Sequence, residues 1–286
     1  MGSVSYTDGL GSHTYDYFVI DTNDLLLYET DNLNASPGLG RAEAQRVPTG
    51  GFTNASFSGS FAFGSRGDTS ASGAGGVNSV GQLVADGKGN ITAGAFDWVR
   101  DGSPQVGVTI GSGTYTVGGS GRITTTLSAG AAGNIGDVIY LVSSTRAFFL
   151  VNSDASRVDD GTMDQQSATS FSNSRFSGQY AFVTGGAVAA VPLDRTGTIQ
   201  ADGSGNLSWA EQVNSGGSPN SVCLGGIYSA SANGRVTASV SSLSSNLVFY
   251  MTSSNSGYAL QGDSGAQESG GMVNQNQPVP VVPGIF

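Results

Sequence analysis

Apolar and polar residues alternate in short runs along most of this 286-residue chain. The alternation is clearest in four stretches: Ser58–Phe63, Gly113–Val117, Arg122–Leu127 and Asp137–Val142. Strict alternation over roughly four to eight residues is typical of a β-strand with one buried face. Because helical periodicity is almost absent, the sequence predicts an all-β fold.

Pairs of turn-forming residues separate the predicted strands. They are Asp86-Gly87, Gly118-Gly119, Asp202-Gly203 and Asn233-Gly234. Gly, Asn and Asp accept the positive φ angles of tight hairpins, so neighbouring strands should pair antiparallel in a β-meander. Closure into an up-and-down eight-stranded barrel removes exposed strand edges, and we therefore expect barrels, with β-sandwiches as the alternative.

The pattern occurs twice along the chain. Phe57-Ser-Gly-Ser-Phe-Ala-Phe63 returns as Phe176-Ser-Gly-Gln-Tyr-Ala-Phe182 (176 − 57 = 119), and a late strand containing Tyr140 returns at Tyr250 (250 − 140 = 110). Three further landmarks keep the same order: Ala85–Asn90 with Ala201–Asn206, Gly113–Thr116 with Gly226–Ser229, and Gly121–Thr124 with Gly234–Thr237. Slowly shrinking offsets indicate a duplicated unit with small loop deletions.

The opening residues match the second half of the same unit. Phe18–Asn23 and Leu25–Tyr28 lie over Tyr140–Thr145 and Ala147–Leu150. The domains expected are therefore a partial repeat at 1–46, a first repeat at 52–166, a second repeat at 171–276 and a Pro-rich tail at 277–286. A half unit leaves strands without partners, which predicts pairing within the chain or self-association.

The landmarks resemble Gly-rich tandem β repeats of large secreted or surface proteins of environmental bacteria. Those repeats run Phe-Ser-Gly-x-Tyr-Ala-Phe, then Asp-Gly-x-Gly-Asn, then Gly-Thr-Tyr and a late Val-Ser-Ser strand, and the resemblance covers residues 52 to 276. It implies an extracellular or cell-surface location and a repeat architecture. It implies no assigned activity.

Charge and composition exclude several partners. The net charge is −10, which is unsuited to the phosphate backbone of nucleic acid. No apolar run approaches the roughly 20 residues that span a bilayer, so no membrane insertion is expected. Only 11% of residues are charged, and the surface should instead be rich in Ser, Thr and Asn, a composition that favours an extracellular protein.

One segment resembles an enzyme motif. Gly262-Asp-Ser-Gly265 resembles the nucleophile segment of chymotrypsin-like serine proteases, which implies a catalytic Ser264 with the sole histidine, His13, as its base. The resemblance covers these four residues, and the corresponding loops read Asn152-Ser-Asp154 and Thr30-Asp31. We therefore interpret the segment as an acidic turn, and expect no catalytic residue.

Two short motifs suggest binding sites that their context does not support. Arg66-Gly-Asp68 spells the integrin-binding tripeptide, but a charged turn in a loop is the preferred interpretation. Asp86-x-Lys88-x-Asn90 and Asp202-x-Ser204-x-Asn206 begin like calcium loops, which require Gly at the sixth position and Glu at the twelfth. Ile91 and Leu207 stand at the sixth position, so we interpret both as hairpin turns and predict no metal or other cofactor.

The remaining candidates are large or reactive side chains. Trp98 and Trp209 are expected in the core, although exposed tryptophans would suit glycan binding. The single cysteine, Cys223, aligns with Ile110 and is expected to be buried and inert.

Three functions are compatible with these patterns. The first is an extracellular structural or adhesive repeat protein, self-associating or binding other surface components. The alternative is a β-barrel module that binds a glycan or another small ligand. The third is a secreted hydrolase that uses Ser264.

Overall fold

A computed structural model describes residues 2–8, 11–30, 41–46, 49–69, 76–129, 134–151, 154, 156–188, 191–241 and 244–275. The chain divides into two compact units, Met1–Gly50 and Gly51–Phe286. The tail predicted at 277–286 lies outside the described residues.

The first unit contains an open four-stranded antiparallel sheet with strands in sequence order. Its strands are β1 (Gly2–Asp8), β2 (Gly11–Val19), β3 (Asp24–Glu29) and β4 (Arg41–Gln45). Phe18 lies opposite Leu26, so the β2–β3 hairpin has the register that a later hairpin shows at Tyr140 and Phe148. A meander of this kind leaves β1 and β4 at the two edges of the sheet.

The second unit begins with a closed barrel. Its strands are β5 (Ser58–Thr69), β6 (Val77–Asp86), β7 (Asn90–Arg100), β8 (Ser103–Ile110), β9 (Ser112–Val117), β10 (Arg122–Ser128), β11 (Asn134–Leu141), β12 (Arg146–Val151) and β13 (Arg157–Gln165). The order around the barrel is β6-β5-β13-β12-β11-β10-β9-β7, and β6 pairs with β7 to close it. β8 and β9 pair with successive parts of β7, so together they fill one strand position.

A second closed barrel follows, with each strand paired to its neighbours in sequence. Its strands are β14 (Ser177–Val188), β15 (Val191–Asp202), β16 (Asn206–Ser215), β17 (Ser218–Ala230), β18 (Arg235–Val240), β19 (Ser244–Met251), β20 (Ser256–Gln261) and β21 (Ala266–Asn274). Pairing of β14 with β21 closes this barrel. The predicted antiparallel eight-stranded barrels are thereby confirmed.

Each barrel is filled by side chains and plugged at one end by a phenylalanine. Phe57 and Phe176 follow single turns of 3-10 helix, Asn54–Ser56 and Asn173–Arg175, and neither ring is exposed. Tyr115 and Tyr228 donate hydrogen bonds of 2.7 Å to the carbonyl oxygens of Phe57 and Phe176. A buried tyrosine hydroxyl needs such a partner, so the plug and the tyrosine hold each other in place.

Cys223 is exposed, and the expectation of a buried thiol is wrong. Side chains alternate between the inside and the outside along a strand, so one irregular residue reverses the alternation beyond it. In the first barrel the strand breaks at Gly111, and Ile110 and Tyr115 both point inward. The corresponding strand β17 is continuous, and it places Cys223 outside.

The Arg-Gly-Asp tripeptide lies in a strand, so its assignment to a loop is also wrong. Arg66 and Asp68 belong to β5 and lie opposite Asp160 and Val158 of β13. A Cβ atom on Gly67 would come within 1.9 Å of the Val158 carbonyl oxygen, so glycine allows the two backbones to approach.

Candidate functional site

The two barrels pack against each other through outward-facing side chains. The second barrel contributes a surface that we call the Arg235 face: Arg235, Val248, Tyr250, Tyr258 and Leu260. The first barrel contributes the Asp97 face: Ala62, Gly64, Val80, Asp97 and Val99. Tyr250 and Leu260 are almost fully buried there, so the two barrels form a joint apolar cluster.

A buried carboxylate lies at the centre of this interface. Asp97 has no solvent exposure, and Arg235 donates to both of its oxygens, from Nε to Oδ2 at 2.7 Å and from Nη2 to Oδ1 at 2.6 Å. The Tyr250 hydroxyl donates to Oδ2 at 2.9 Å, and the Gly107 amide donates to Oδ1 at 2.7 Å. Four hydrogen bonds compensate the removal of the carboxylate from water.

Arg235 and Tyr250 both keep the protonated state in which they can donate to Asp97. The hydrogen bonds to Asp97 raise the pKa of Arg235 above its ordinary value. Burial raises the pKa of Tyr250, so its hydroxyl remains a donor at any physiological pH.

The second tyrosine of the Arg235 face fits against a glycine. A Cβ atom on Gly64 would lie 2.6 Å from Cδ1 of Tyr258, closer than any real contact. The Tyr258 hydroxyl donates to Asp164 Oδ2 at 2.7 Å and lies 3.0 Å from the Thr162 hydroxyl. A larger residue at position 64 would therefore displace the ring of Tyr258.

The segment between the barrels is anchored as well. Gln166 donates from Nε2 to the carbonyl oxygens of Asn233 and Met251, at 3.0 and 2.8 Å. The Ser167 amide donates to the carbonyl oxygen of Thr252 at 2.8 Å. The linker thus adds backbone contacts to the side-chain interface.

The first barrel carries a second version of the Arg235 face. By strand register its members, which we call the Arg122 face, are Arg122, Val138, Tyr140, Phe148 and Leu150. Four of the five residues are identical to those of the Arg235 face, and Phe148 replaces Tyr258. Tyr140 and Leu150 are 47% and 45% exposed, whereas their counterparts are 0% and 1% exposed. Tyr140 and Leu150 are thus kept on a face where they remain in solvent, whereas Val138 on the same face is 7% exposed.

The second barrel has lost the complementary surface. At the positions of the Asp97 face it carries what we call the Gln212 face: Ala181, Val183, Thr196, Gln212 and Asn214. Val183 replaces Gly64 and is 61% exposed, and Gln212 replaces the essential carboxylate. This face therefore offers neither the space that a tyrosine ring needs nor the negative charge that an arginine needs.

Ser264 and His13, the nucleophile and base that the protease resemblance implies, lie in different units. Ser264 lies in the exposed turn before β21, and its neighbour Asp263 accepts from Asn246 Nδ2 at 3.3 Å and Gln261 Nε2 at 3.2 Å. Nδ1 of His13 lies 2.9 Å from Oε1 of Glu29. The sequence from Gly51 to Phe286 contains no histidine. Hydrolysis by Ser264 therefore stays a hypothesis, and the unit that contains Ser264 has no histidine to serve as its base.

The calcium-like loops are hairpin turns in which the carboxylates bind the backbone. Asp86 Oδ1 accepts from the amides of Lys88 and Asn90 at 2.7 and 2.9 Å. Asp202 accepts equivalent bonds, including one from Asn206 Nδ2 at 2.6 Å. Side-chain and backbone hydrogen bonds lower the pKa of both aspartates to about 2. These oxygens close the turns, as the sequence predicted.

The tryptophans differ between the barrels. Trp209 is buried in the core of the second barrel, in agreement with the sequence prediction. Trp98 is partly buried and packs at the edge of the first core. By register it corresponds to Val213, which explains why the two tryptophans do not align in sequence.

Loss of the central arginine should weaken the interface between the two barrels. In Arg235→Ala, Asp97 would remain buried without its cation, and we expect the free energy of unfolding to fall by about 3–5 kcal/mol. Urea denaturation followed by tyrosine and tryptophan fluorescence measures this change.

The matched control is the repeat counterpart on the exposed face. Arg122 donates only to the Thr124 hydroxyl in the described part of the chain, so Arg122→Ala should change stability by less than about 0.5 kcal/mol. Equal effects of the two substitutions would contradict the assignment of Asp97 and Arg235 as the centre of the interface.

Comparisons with known proteins add no family. No protein-family model matches the chain, and neither a curated protein nor a solved structure does. The described residues contain no group of three side chains able to hold a metal ion. They also contain no helix with the length and hydropathy required to cross a membrane. Function is therefore inferred from the barrels themselves.

Proposed function

We propose that the chain is a structural module of an extracellular repeat array, in which barrels dock one on another through paired faces. The supporting observation is the Arg122 face. Its arginine, tyrosine, valine and leucine repeat those that join the two barrels of this chain, yet Tyr140 and Leu150 are exposed. A face that keeps interface residues in solvent is typical of a binding surface.

The occupant of the Arg122 face is another barrel of the same repeat. Charge complementarity requires a carboxylate opposite Arg122, as Asp97 lies opposite Arg235. An aromatic ring at Phe148 requires a glycine opposite, as Gly64 lies against Tyr258. A barrel that carries an Asp97 face supplies both.

A barrel that carries both faces can then join two others, each by a different face, which is a heterologous contact. Such contacts continue into open arrays unless one face is lost. In this chain the Gln212 face of the second barrel has lost both the glycine and the aspartate. We infer that the array grows from the first barrel and that the second barrel ends it in this docking mode.

The extracellular assignment rests on composition. A low charged fraction and a net charge of −10 suit a protein that meets neither nucleic acid nor anionic surfaces. Adhesion to other surface components, including glycans, is a further proposal that follows from the same location.

The open sheet of the first unit offers a second route to association. β1 pairs only with β2 in the described part of the chain, so one of its edges carries unsatisfied backbone groups. An exposed strand edge can add a strand from another chain. Val4 of β1, 42% exposed, would add apolar contact to such a pairing.

A grafted Asp97 face tests the docking proposal. We expect the quadruple variant Val183→Gly, Thr196→Val, Gln212→Asp, Asn214→Val to form head-to-tail oligomers, because each second barrel could then receive the Arg122 face of another copy. Sedimentation velocity over a range of concentrations measures the assembly, and circular dichroism confirms that the variant is folded.

The control adds Arg122→Ala to the grafted chain. This variant should return to the mass of the unmodified protein, because the grafted aspartate would lack its arginine. A folded quadruple variant whose mass equals that of the parent at every concentration would refute the docking proposal.

Deletion of residues 1–46 tests the strand-edge route separately. If the parent chain self-associates through β1, the deleted chain should have a lower oligomeric mass by light scattering, because the unpaired edge is gone. An unchanged oligomeric mass would sink this route and leave the docking proposal intact.

A further inference from the structure

The core of the first barrel ends in a group of buried polar side chains. We call it the Asp137 cluster: Trp98, Thr125, Asp137, Arg157 and Asp159. Asp137 shares the inner side of β11 with Ile139 and Leu141, and Thr125 lies opposite Asp137 on β10. Asp137 and Asp159 are 7% and 2% exposed. The polar groups therefore point into the barrel.

Most polar atoms of this cluster lack a hydrogen-bond partner in the described structure. Asp137 Oδ1, Thr125 Oγ1, Trp98 Nε1, Arg157 Nε and Asp159 Oδ1 are all buried and make no hydrogen bond. Arg157 lies over the ring of Trp98 at 5.5 Å and places Nε 3.4 Å from Asp159 Oδ1. The Ser65 hydroxyl donates to the other oxygen of Asp159 at 3.3 Å. Arg157 and Asp159 thus form an ion pair, whereas Asp137 Oδ1, Thr125 Oγ1 and Trp98 Nε1 have no hydrogen-bond partner.

The second barrel shows that the fold does not need four of these five residues. By register, the positions of Asp137, Arg157, Trp98 and Thr125 are filled by apolar residues, namely Leu247, Ala266, Val213 and Ala238. The fifth position, that of Asp159, holds the buried Glu268, which accepts hydrogen bonds from Arg195 and the Thr184 hydroxyl. The second barrel therefore keeps one buried acid at this end with its partners, and replaces the other polar groups of the cluster by apolar side chains.

Where the second barrel does bury charges, it pairs them. Arg195 donates to Glu268 Oε2 at 3.0 Å and to Glu211 Oε1 at 2.6 Å. Trp209 Nε1 donates to the second oxygen of Glu211 at 2.9 Å, and the Thr184 hydroxyl donates to Glu268. The adjoining cavity has a volume of about 10 Å³, which is the space of one water molecule.

Buried polar groups without partners are retained in a protein when a bound molecule supplies their hydrogen bonds. A ligand for the Asp137 cluster must donate to Asp137 Oδ1 and accept from the Trp98 indole, and it can bond the Thr125 hydroxyl in either direction. Hydroxyl groups do both, and aromatic and carboxylate side chains together suit a molecule with several of them. We propose that the first barrel binds a small neutral polyhydroxylated ligand, a saccharide or polyol, at the Asp137 cluster.

This site is independent of the docking proposal. The cluster lies inside the barrel, whereas the Arg122 face lies outside it, so either proposal can fail without the other.

The acid–base behaviour of the cluster gives a first prediction. Burial, and then the neighbouring charge of Asp159, raise the pKa of Asp137 from 3.8 to about 7, while Arg157 opposes the rise. The folded chain therefore binds more protons than the unfolded chain between these values, and stability should fall as pH rises through that window. Asp86 and Asp202 titrate below it, and the raised pKa of Asp159 acts in the same direction as Asp137.

The measurement is the urea midpoint as a function of pH. We expect Asp137→Asn to flatten the decline between about pH 4 and 7, because asparagine carries no charge to bury. A decline as steep as that of the parent chain would show that Asp137 does not titrate in this environment.

Ligand binding is tested with the indole N–H signals of the two tryptophans in a ¹⁵N–¹H spectrum of the full chain, assigned with Trp98→Phe. The probes are glucose, galactose, mannose, maltose, lactose, glycerol and mannitol. We expect at least one to shift the Trp98 signal saturably while the Trp209 signal, already bonded to Glu211, stays in place.

The decisive variant is Asp137→Leu, which installs the residue of the second barrel. We expect at least a tenfold loss of affinity for the active probe, with an unchanged Trp209 signal as the sign of an intact fold. Three results would overturn the proposal: no saturable shift of Trp98 with any probe, full affinity in Asp137→Leu, or a response to methylammonium chloride but to none of the hydroxylated probes.

Discussion

Closure of a β-meander into a barrel gives every strand an inner and an outer side, and most features of the two barrels follow from that constraint. Inner side chains have one environment to share, so they must fill it with apolar volume or with fully bonded polar groups. Outer side chains lose contact with the core entirely and are free to build contacts with another barrel. β11 shows both outcomes within four residues, since Asp137 and Ile139 point inward while Val138 and Tyr140 point outward.

Because the two barrels are copies of one repeat, the residues at corresponding positions of the two can be compared directly. Asp97 is buried with four hydrogen bonds, whereas its counterpart Gln212 is exposed and faces no arginine. A carboxylate so placed is stable only with its cation present, which ties the identity of one residue to the presence of the neighbouring barrel. Asp137 shows the reverse relation, because its buried Oδ1 has no hydrogen-bond partner while its counterpart Leu247 packs in an apolar core.

Local patterns predicted the fold because hairpin meanders depend on short-range signals. Alternation located the strands, and the Asp-Gly and Asn-Gly pairs located turns that the structure confirms at Asp86 and Asp202. Cys223 was misplaced because alignment with Ile110 cannot reveal the break at Gly111 that reverses the alternation. The docking faces could not be predicted without the tertiary structure. Tyr140 and Tyr250 were visible in the sequence as repeat landmarks. Nothing near Asp97 in the sequence, however, indicates that Arg235 is its partner. The Asp137 cluster had a readable signal, since Asp137 stands in phase with Ile139 and Leu141, the residues of a buried face.

The two barrels have therefore diverged in a consistent direction. In the second barrel the buried glutamates are bonded by Arg195, the plug is closed by Phe176, and the tyrosines of the Arg235 face are covered by the first barrel. In the first barrel the Asp137 cluster keeps unpaired atoms, and Tyr140 and Leu150 of the Arg122 face are exposed. Groups that would each lower stability are retained together in one copy, although the other copy shows how either can be dispensed with. Selection for stability alone would remove both. The first barrel is therefore where interactions with other molecules should be sought.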